Sequence, residues 1–333
     1  MTTNSGTAWV RVVIVNYNGG ELLQSCIDAL ATQTMPDFEA IIVDNGSTAP
    51  PVTDLHLPDA RFQIQHVGEN IGFAAASNLG AHGGTAPWIA TLNPDAMPRP
   101  DWLAELRGAT ERYPQVRMFG STQIDANDLS IIDGFGDLIA AFGTAWRSGS
   151  GLPVSALPAS DREPFSACAA AALYARSSFE AARGFDERFF CYLEDVDLGF
   201  RLRLKGETCV QVRRAEVLHV GSAATGRLSD FSIFHSYRNR IWLFVKCVPL
   251  PLLPLVSLLQ AAATIVALAR PRAQPYRTAA LQGVWAGLKG LPEMIDDRHR
   301  VQRERTVSTC DVARMMVWNP LHRRSRMPPP ITR

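Results

Sequence analysis

The sequence lacks the features that would place the chain among secreted or zinc-stabilised proteins. Its six cysteines are scattered, with no C-x-x-C pair and no spacing typical of a zinc site. They are therefore expected to be reduced core or surface residues. The opening segment, MTTNSGTAWV, has neither a basic region nor an apolar core, so no secretory signal is predicted. We expect a cytoplasmic protein.

The sequence also lacks the strong positive charge that is typical of nucleic-acid-binding proteins. Its formal net charge is only +1, but residues 270–333 hold thirteen Lys and Arg residues against five Asp and Glu. A basic tail on a mildly acidic body predicts an anionic surface as partner, with phospholipid head groups as the leading candidate. Nucleic acid is not an expected partner.

Short apolar runs and helical periodicity alternate in the first hundred residues. Because β-α-β units build parallel sheets with helices on their faces, an α/β domain is predicted. Ligands bind beyond the carboxyl ends of such strands, where three polar clusters follow predicted strands. We predict strands at residues 9–15, 38–43, 61–67 and 88–92, and helices at residues 21–31 and 73–81.

The alternation of apolar runs with helical periodicity is less regular from residue 101 onward. Residues 125–161 are rich in Gly, Ser and Asp and predict a long loop system over the site. Further helices are predicted at residues 101–113, 177–183 and 194–205, and strands at residues 165–174, 208–212 and 215–220.

The last hundred residues are apolar and then basic. Residues 248–269 carry no charge, but prolines crowd their start and Gln260 interrupts them. A helix over residues 255–269 would be roughly 22 Å long at ~1.5 Å per residue, shorter than a ~30 Å hydrocarbon core. A helix lying in the bilayer interface is therefore favoured over a spanning one. A buried helix or a homodimer interface are the alternatives.

Two carboxylates end apolar strands at the predicted crevice. Asp44 follows Ile41-Ile42-Val43, where it could accept hydrogen bonds from a base or a ribose, although Asp-Asn-Gly-Ser is also a common turn. Asp95 closes the next predicted strand within Asn93-Pro94-Asp95. A carboxylate there can bind a divalent cation that bridges two phosphates, and the alternative is again a turn.

Two further sets of side chains could take part in catalysis or metal binding. Glu194, Asp195 and Asp197 open a predicted helix directly after an aromatic run. Acids in a first turn are also favoured by the helix dipole, but burial there would raise a carboxyl pKa toward the range of a general base. His219 ends the strand Val217-Leu218-His219-Val220 and is either a structural histidine or a metal ligand.

The ordered set of these motifs resembles glycosyltransferase family 2, and within it the bacterial rhamnosyltransferase-like members. The resemblance covers about residues 10–245. Its matching segments are Val13-Ile14-Val15-Asn16-Tyr17-Asn18, Val43-Asp44-Asn45-Gly46-Ser47, Asn70-Ile71-Gly72-Phe73-Ala74 with Asn78, Leu92-Asn93-Pro94-Asp95, Gly184-Phe185-Asp186-Glu187, Glu194-Asp195-Val196-Asp197-Leu198 with Arg201, and His219.

The resemblance implies the roles of particular residues. Asp195 resembles the catalytic base, with Glu194 and Tyr192 beside the acceptor. Asp95 and His219 resemble the ligands of Mn²⁺ or Mg²⁺, with Asn93 in place of the first acid of the family's D-x-D-type motif. Arg238 is a candidate for neutralising the diphosphate. The implied donor-binding residues are Asn16, Tyr17, Asp44, Asn45, Asn70, Gly72, Phe73, Asn78, Asn93, Asp95 and Arg238.

The resemblance also implies a GT-A fold: a Rossmann-like mixed sheet with helices on both faces, followed by a C-terminal helical extension. We expect the catalytic domain at residues 1–228, with a donor half at about 1–100 and an acceptor half at about 101–228, and a membrane-associating extension at residues 229–333. The expected activity is inverting sugar transfer, with dTDP-rhamnose as the favoured donor and a polyprenyl-linked saccharide or a polysaccharide as acceptor.

Three alternatives stay open on the sequence. The donor could be another dTDP- or UDP-sugar. The protein could be a sugar nucleotidyltransferase, although Asn18-Gly19-Gly20-Glu21 offers no basic residue for a phosphate loop. It could also be a membrane scaffold with a degenerate site, although such a protein would tolerate losses among Asp44, Asp95, Asp195 and His219, and all four are present. The expected location is the inner face of the cell membrane, bound peripherally.

Overall fold

The computed structural model describes residues 8–49, 54–221, 229–319 and 326–331. Within these ranges, the strands are β1 (Val10–Asn16), β2 (Phe38–Asp44), β3 (Phe62–His66), β4 (Trp88–Leu92), β5 (Ala96–Pro98), β6 (Met118–Asp125), β7 (Ile132–Gly134), β8 (Asp137–Ala140), β9 (Thr144–Arg147), β10 (Ala171–Ala175) and β11 (Cys209–His219). The helices are α1 (Gly20–Ala31), α2 (Phe73–Ala81), α3 (Trp102–Arg112), α4 (Arg176–Ala181), α5 (Glu194–Leu204), α6 (Asp230–Cys247), α7 (Leu253–Ala269), α8 (Arg277–Lys289), α9 (Leu291–Arg303) and α10 (Thr309–Met315).

A nine-stranded mixed sheet forms the centre of the molecule. Its strand order is β3-β2-β1-β4-β10-β6-β11-β5, with β7 paired to β6, while β8 and β9 form a separate hairpin. Strands β1 to β4 are mutually parallel, and β10 runs antiparallel to both of its neighbours. The chain reverses its direction of travel across the sheet between β1 and β4. Such a switch point opens a crevice at the carboxyl ends of the strands.

Apolar cores cover both faces of the sheet. Helices α1 and α3 pack on one face, where Trp102 is completely buried, and α2, α4 and α5 pack on the other. Full burial of one large apolar side chain stabilises the fold by about 1.5–3 kcal/mol. The small residues of α2, including Ala74 and Ala76, bring its backbone close to the strands. The GT-A expectation of a mixed sheet with helices on both faces is confirmed.

The C-terminal helices pack on this domain and on one another. A third apolar cluster joins α5 to α6, α7, α9 and α10. Helix α8 approaches α6 closely at Gly283, where a β-carbon would lie 2.4 Å from the carbonyl oxygen of Phe234. The expected domain division at residue 228 lies outside the described residues, and it stays a prediction. Part of the basic tail, at residues 320–325 and 332–333, also lies outside them.

Within the described ranges, no single helix combines the length and apolar character needed to cross a membrane. Helix α7 and the following helical segment, Pro271–Lys289, satisfy both criteria only as a pair, which is bent by 100°. Helix α7 begins at Leu253, two residues before the predicted start.

Several sequence predictions need correction. The predicted loop system at residues 125–161 contains β7, β8 and β9, which are too short to show a period. Strand β6 was missed because its buried residues include Ser121, Thr122 and Gln123. All three have internal partners, since Trp102 donates to Ser121, Thr122 donates to the Val212 carbonyl and Arg147 donates to Gln123. The predicted strands at 208–212 and 215–220 form one strand, β11, with a register shift.

Candidate active site

A cleft of about 480 Å³ opens at the carboxyl ends of β1 and β4. One wall comes from the loops after β1, β2 and β4, and the other comes from β9 and the start of α5. The site residues that line it are Tyr17, Asn45, Asn70, Phe73, Asn93, Asp95, Tyr192, Glu194, Asp195 and His219, together with Asp137, Trp146, Arg147, Cys168, Phe190 and Phe231.

Asn16 and Asp44 lie behind the first wall, because parallel register pairs the last residues of β1 and β2. The Asn16 amide donates to Ser47 Oγ at 3.0 Å and approaches Asp44 Oδ1 at 3.5 Å. The other Asp44 oxygen lies 3.3 Å from Nδ1 of His66, a side chain that the sequence reasoning missed. Tyr17, whose exposed fraction is 36%, reaches the cleft itself.

Asn45 and Asn70 join two loops of this wall. The Asn45 amide donates to Asn70 Oδ1 at 3.0 Å, while Asn45 Oδ1 accepts the Ile71 N–H at 3.0 Å. Gly72 has a φ of +87°, and a β-carbon there would lie 2.6 Å from the Phe190 ring. A larger residue would therefore strain the backbone and displace the opposite wall.

Besides Asn16, Asp44 and Gly72, two more of the proposed donor-site residues do not line the cleft. Asn78 bonds the loop before α5, since its amide donates to the Phe185 carbonyl at 2.9 Å and accepts the Phe185 N–H at 2.8 Å. Arg238 lies on α6, where it donates to the carbonyls of Arg188 and Phe189 and stacks on Trp242 at 4.4 Å. These contacts hold the fold together, and a donor role for Asn78 and Arg238 stays a prediction.

Asp95 and His219 meet at the edge of the cleft. Antiparallel pairing of β5 with β11 sets His219 opposite Ala96, and His219 Nε2 lies 3.3 Å from Asp95 Oδ1. Asn93 Nδ2 lies 3.4 Å from the same ring nitrogen. The side chains of Asp95 and His219 are both buried. Sequence reasoning predicted this meeting, because both residues end strands.

Asp133 and Arg147 complete this group, and sequence reasoning missed both. His219 Nδ1 lies 2.7 Å from Asp133 Oδ2, and Arg147 donates to the same oxygen. Burial disfavours the protonated imidazole, but the hydrogen bonds and charges of Asp133 and Asp95 outweigh it, so the pKa of His219 is raised. The available sequence clue was a carboxylate directly after Ile131-Ile132.

Asp195 stands at the opposite wall, in the first turn of α5. Its Oδ2 accepts the Ala169 N–H at 2.9 Å, and its Oδ1 accepts the Val196 N–H at 2.8 Å. Burial raises the pKa of this carboxyl, although both hydrogen bonds and the Arg147 charge oppose the shift. A raised pKa suits a carboxylate that must accept a proton near neutral pH.

A dense group of acids surrounds Asp195. Burial raises the pKa of Asp137 and of Glu194 well above the ordinary range, and the charge of Asp195 adds to both shifts. Oxygens of Asp137 and Asp195 and the sulfur of Cys168 lie within 4.8 Å of one another. Among the described residues that line the cleft, Arg147 is the one arginine, and no lysine is among them.

The turn before α5 is strained and aromatic. Phe190, Tyr192 and Leu193 all have φ between +64° and +71°, a region that costs non-glycine residues of the order of 1–3 kcal/mol. Asn239 holds this turn by donating to the carbonyls of Phe189, Cys191 and Tyr192. The strained backbone fixes Asp195 at the cleft.

The chain is similar in sequence and in fold to known glycosyltransferases. Residues 11–128 match the model of Glycosyl transferase family 2. The N-acetylglucosaminyl-diphospho-decaprenol L-rhamnosyltransferase of Mycobacterium tuberculosis is 32% identical over 241 residues, which cover 65% of this chain and 77% of that protein.

Two solved structures share the fold. One is the mannosyltransferase PcManGT from Pyrobaculum calidifontis in complex with GDP-Man and Mn²⁺, with a TM-score of 0.52, 18% identity and coverage of 86% of this chain and 87% of that one. The other is GalNAc-T7 with UDP, GalNAc and Mn²⁺, with a TM-score of 0.62, 13% identity and coverage of 88% and 57%. The family match, the long rhamnosyltransferase alignment and the GT-A fold together show that the chain belongs to glycosyltransferase family 2.

Proposed function

We propose that this enzyme transfers a sugar from a nucleotide-sugar to an acceptor hydroxyl with inversion at the anomeric carbon. The observation that carries the proposal is the arrangement of the cleft, with Asp95 and His219 at one edge and Asp195 at the opposite wall. A diphosphate leaving group bound at one side and a base at the other suit in-line displacement.

Asp195 is the proposed general base. It accepts the proton of the acceptor hydroxyl while that oxygen attacks the anomeric carbon on the face opposite the diphosphate. The two backbone N–H groups that bond Asp195 fix its carboxylate, and Arg147 favours its ionised form. The sugar passes directly to the acceptor, so no glycosyl-enzyme intermediate is formed.

The donor is proposed to lie along the first wall. Tyr17, Asn45, Asn70 and Phe73 line this wall and would contact the nucleoside, with Asn16 and Asp44 supporting them from behind. On the acceptor side, Tyr192 and Glu194 line the same cleft, and Phe231 extends the aromatic surface. Aromatic faces offer apolar surface for a sugar ring or a lipid chain.

The residues at the cleft edge fit a divalent cation. Asp95 supplies oxygen, and His219 presents Nε2 beside it because its other nitrogen faces Asp133. Mn²⁺ or Mg²⁺ held there would supply charge stabilisation for the diphosphate. The group of Asp137, Cys168 and Asp195 is less suitable, since burial raises the pKa of Cys168 and keeps its thiol protonated.

The proposed donor is dTDP-rhamnose, and the proposed acceptor is a polyprenyl-diphosphate saccharide or a growing polysaccharide. The likeness to the mycobacterial L-rhamnosyltransferase, whose name specifies an N-acetylglucosaminyl-diphospho-decaprenol acceptor, supports the rhamnose and the lipid-linked acceptor. The dTDP carrier and the polysaccharide acceptor follow from the motif resemblance. Another dTDP- or UDP-sugar is the alternative donor.

A donor panel tests this proposal. Purified protein, Mn²⁺ and an N-acetylglucosaminyl-diphospho-lipid are incubated with dTDP-rhamnose, other dTDP-sugars and UDP-sugars, and both nucleoside diphosphate and glycosylated lipid are measured. Rhamnosylated lipid formed only with dTDP-rhamnose is the expected result. Release of pyrophosphate from a nucleoside triphosphate and a sugar phosphate would instead indicate a nucleotidyltransferase. Binding of nucleotides without any transfer would indicate a degenerate site.

We further propose that the C-terminal helices bind the inner face of the cell membrane peripherally. Ten of the thirteen large hydrophobic side chains that are exposed in the described residues lie between Leu250 and Trp318. Helix α7 buries only Val256 and Gln260 among its seventeen residues. The basic residues Arg270, Arg272, Arg277 and Lys289 lie exposed along the same helices. An apolar face beside basic residues fits an anionic bilayer interface.

Liposome sedimentation tests the membrane proposal. We expect the protein to bind phosphatidylglycerol vesicles better than phosphatidylcholine vesicles, and partly to dissociate at 1 M salt, where the Debye length falls to ~3 Å. Replacing Leu258, Ile265 and Trp285 with serine should remove binding at any salt, whereas the matched triple serine variant of Ala261, Ala262 and Ala269 should retain more of it. A protein that ignores every vesicle but forms a dimer through these helices would refute the proposal.

A further inference from the structure

The histidine at the cleft edge contacts an acid on each side of its ring. Nε2 lies 3.3 Å from Asp95 Oδ1, and Nδ1 lies 2.7 Å from Asp133 Oδ2. The shorter contact is the one that faces away from the cleft, because Asp133 does not line it. An acid that accepts the Nδ1–H leaves the lone pair of Nε2 directed toward Asp95.

Asp133 is itself firmly held. Its side chain is 1% exposed, and Arg147 donates to its Oδ2. Arg147 Nη1 also donates to Gln123 Oε1 at 3.2 Å, which ties β9 to β6. These contacts come from three strands, β6, β7 and β9, so the position of the carboxylate is set by the sheet and the β8-β9 hairpin together. A buried carboxylate with a cationic partner and an imidazole partner has little freedom to move.

We propose that Asp133 is a positioning residue that orients His219 for a divalent cation, with Arg147 fixing Asp133 in turn. The inference rests on the proposed role of Asp95 and His219 as the ligands. Carboxylates that bond the far nitrogen of a ligating histidine fix its tautomer and raise its basicity, and their loss typically weakens metal binding about 10–100-fold. Asp133 would act through His219 and would not touch the substrate.

The test is Mn²⁺ binding by Asp133→Asn, measured from the electron paramagnetic resonance signal of free Mn²⁺ in the presence of dTDP. We expect the dissociation constant for Mn²⁺ to rise about 10–100-fold. Binding of dTDP in metal-free buffer should stay unchanged. In transfer assays, the variant should need more Mn²⁺ for half-maximal rate but recover most of kcat at saturating Mn²⁺. Asp128→Asn, an exposed acid before the same strand, serves as the matched control.

A purely structural role for Asp133 gives a different pattern. The melting temperature of Asp133→Asn would then fall, while the folded fraction would bind Mn²⁺ with the parental dissociation constant, and that result overturns the proposal. If Asp133→Asn does not fold, Arg147→Gln is the second variant, because it retains Asp133 but removes the guanidinium that bonds Asp133 and lies 3.3 Å from His219 Nδ1. That variant should bind Mn²⁺ several-fold more weakly, and an unchanged affinity would refute the inference.

The same experiment separates this inference from the proposed metal site. A parent protein that fails to bind Mn²⁺ with dTDP present would refute the proposed role of Asp95 and His219. A parent that binds Mn²⁺, together with an Asp133→Asn variant of equal affinity, would refute only the positioning role of Asp133.

Discussion

Replacing Asp195 with asparagine removes the proposed proton acceptor while retaining the shape of the side chain. Loss of a general base typically lowers the rate by about 10²–10⁴-fold. At about 1.4 kcal/mol per tenfold change, this corresponds to roughly 3–6 kcal/mol of transition-state stabilisation. The donor wall and the cleft edge carry the proposed nucleotide and metal contacts, so binding of dTDP should change little.

The same variant has a predictable effect on stability. Both oxygens of Asp195 accept backbone N–H groups, from Ala169 and Val196. An asparagine amide can accept only one of them, and its NH₂ group must face the other donor. An unsatisfied buried donor costs about 1–3 kcal/mol, but removing a charge that burial disfavours offsets part of this cost. We expect the variant to be folded and at most about 3 kcal/mol less stable.

The assay compares kcat, dTDP affinity and the free energy of unfolding for the parent, Asp195→Asn and a control. Asp296→Asn makes the same chemical change at an exposed position on α9, and it should match the parent in all three quantities. If Asp195→Asn turns over within a few-fold of the parent, Asp195 is not the base. Loss of dTDP binding together with activity would indicate a collapsed cleft and would also contradict the reasoning.

Three further outcomes are expected. Burial raises the pKa of Asp195, and the base must be ionised to accept a proton, so kcat/KM should fall as the pH drops through that raised pKa. This fall should occur above the pKa of ~4 of an ordinary aspartate. A kcat/KM that is unchanged down to pH 4 would contradict the prediction. EDTA should abolish transfer, and Mn²⁺ or Mg²⁺ should restore it; full activity after exhaustive chelation would refute the metal role. Lys246→Met should lower the free energy of unfolding in urea by about 1–3 kcal/mol, since it removes charged hydrogen bonds of 2.6 Å to Asp186 and Asp197, which keep Arg188 and Arg201 as partners. The exposed control, Lys289→Met, should lose less than 1 kcal/mol by the same measurement.

The sequence predicted the half of the fold that obeys simple periodicity. Strands β1, β2 and β4 are continuous β-branched or apolar runs, so their bounds were found within about two residues. Because strand ends in a parallel sheet share one edge, the meeting of Asp95 with His219 also followed from sequence order and motif resemblance. Local pattern and strand direction were sufficient for these features.

Contacts distant in sequence decided the rest. The burial of strand β6 is not evident from its sequence, because the strand contains Ser121, Thr122 and Gln123. Their polar groups can be buried only where partners from other elements form hydrogen bonds with them. Asp133 and Arg147 come from segments too short to show a period, and their relation to His219 exists only after β6, β7, β9 and β11 are assembled.

Arg238 shows that the sequence alone does not determine which groups a side chain contacts. Its sequence neighbourhood offered a cation for the diphosphate, but the fold directs its guanidinium to the carbonyls of Arg188 and Phe189. Residue type and spacing determined which chemical groups this protein possesses. The tertiary structure decided which of them share the cleft, because that depends on side-chain direction and on packing between segments far apart in the chain.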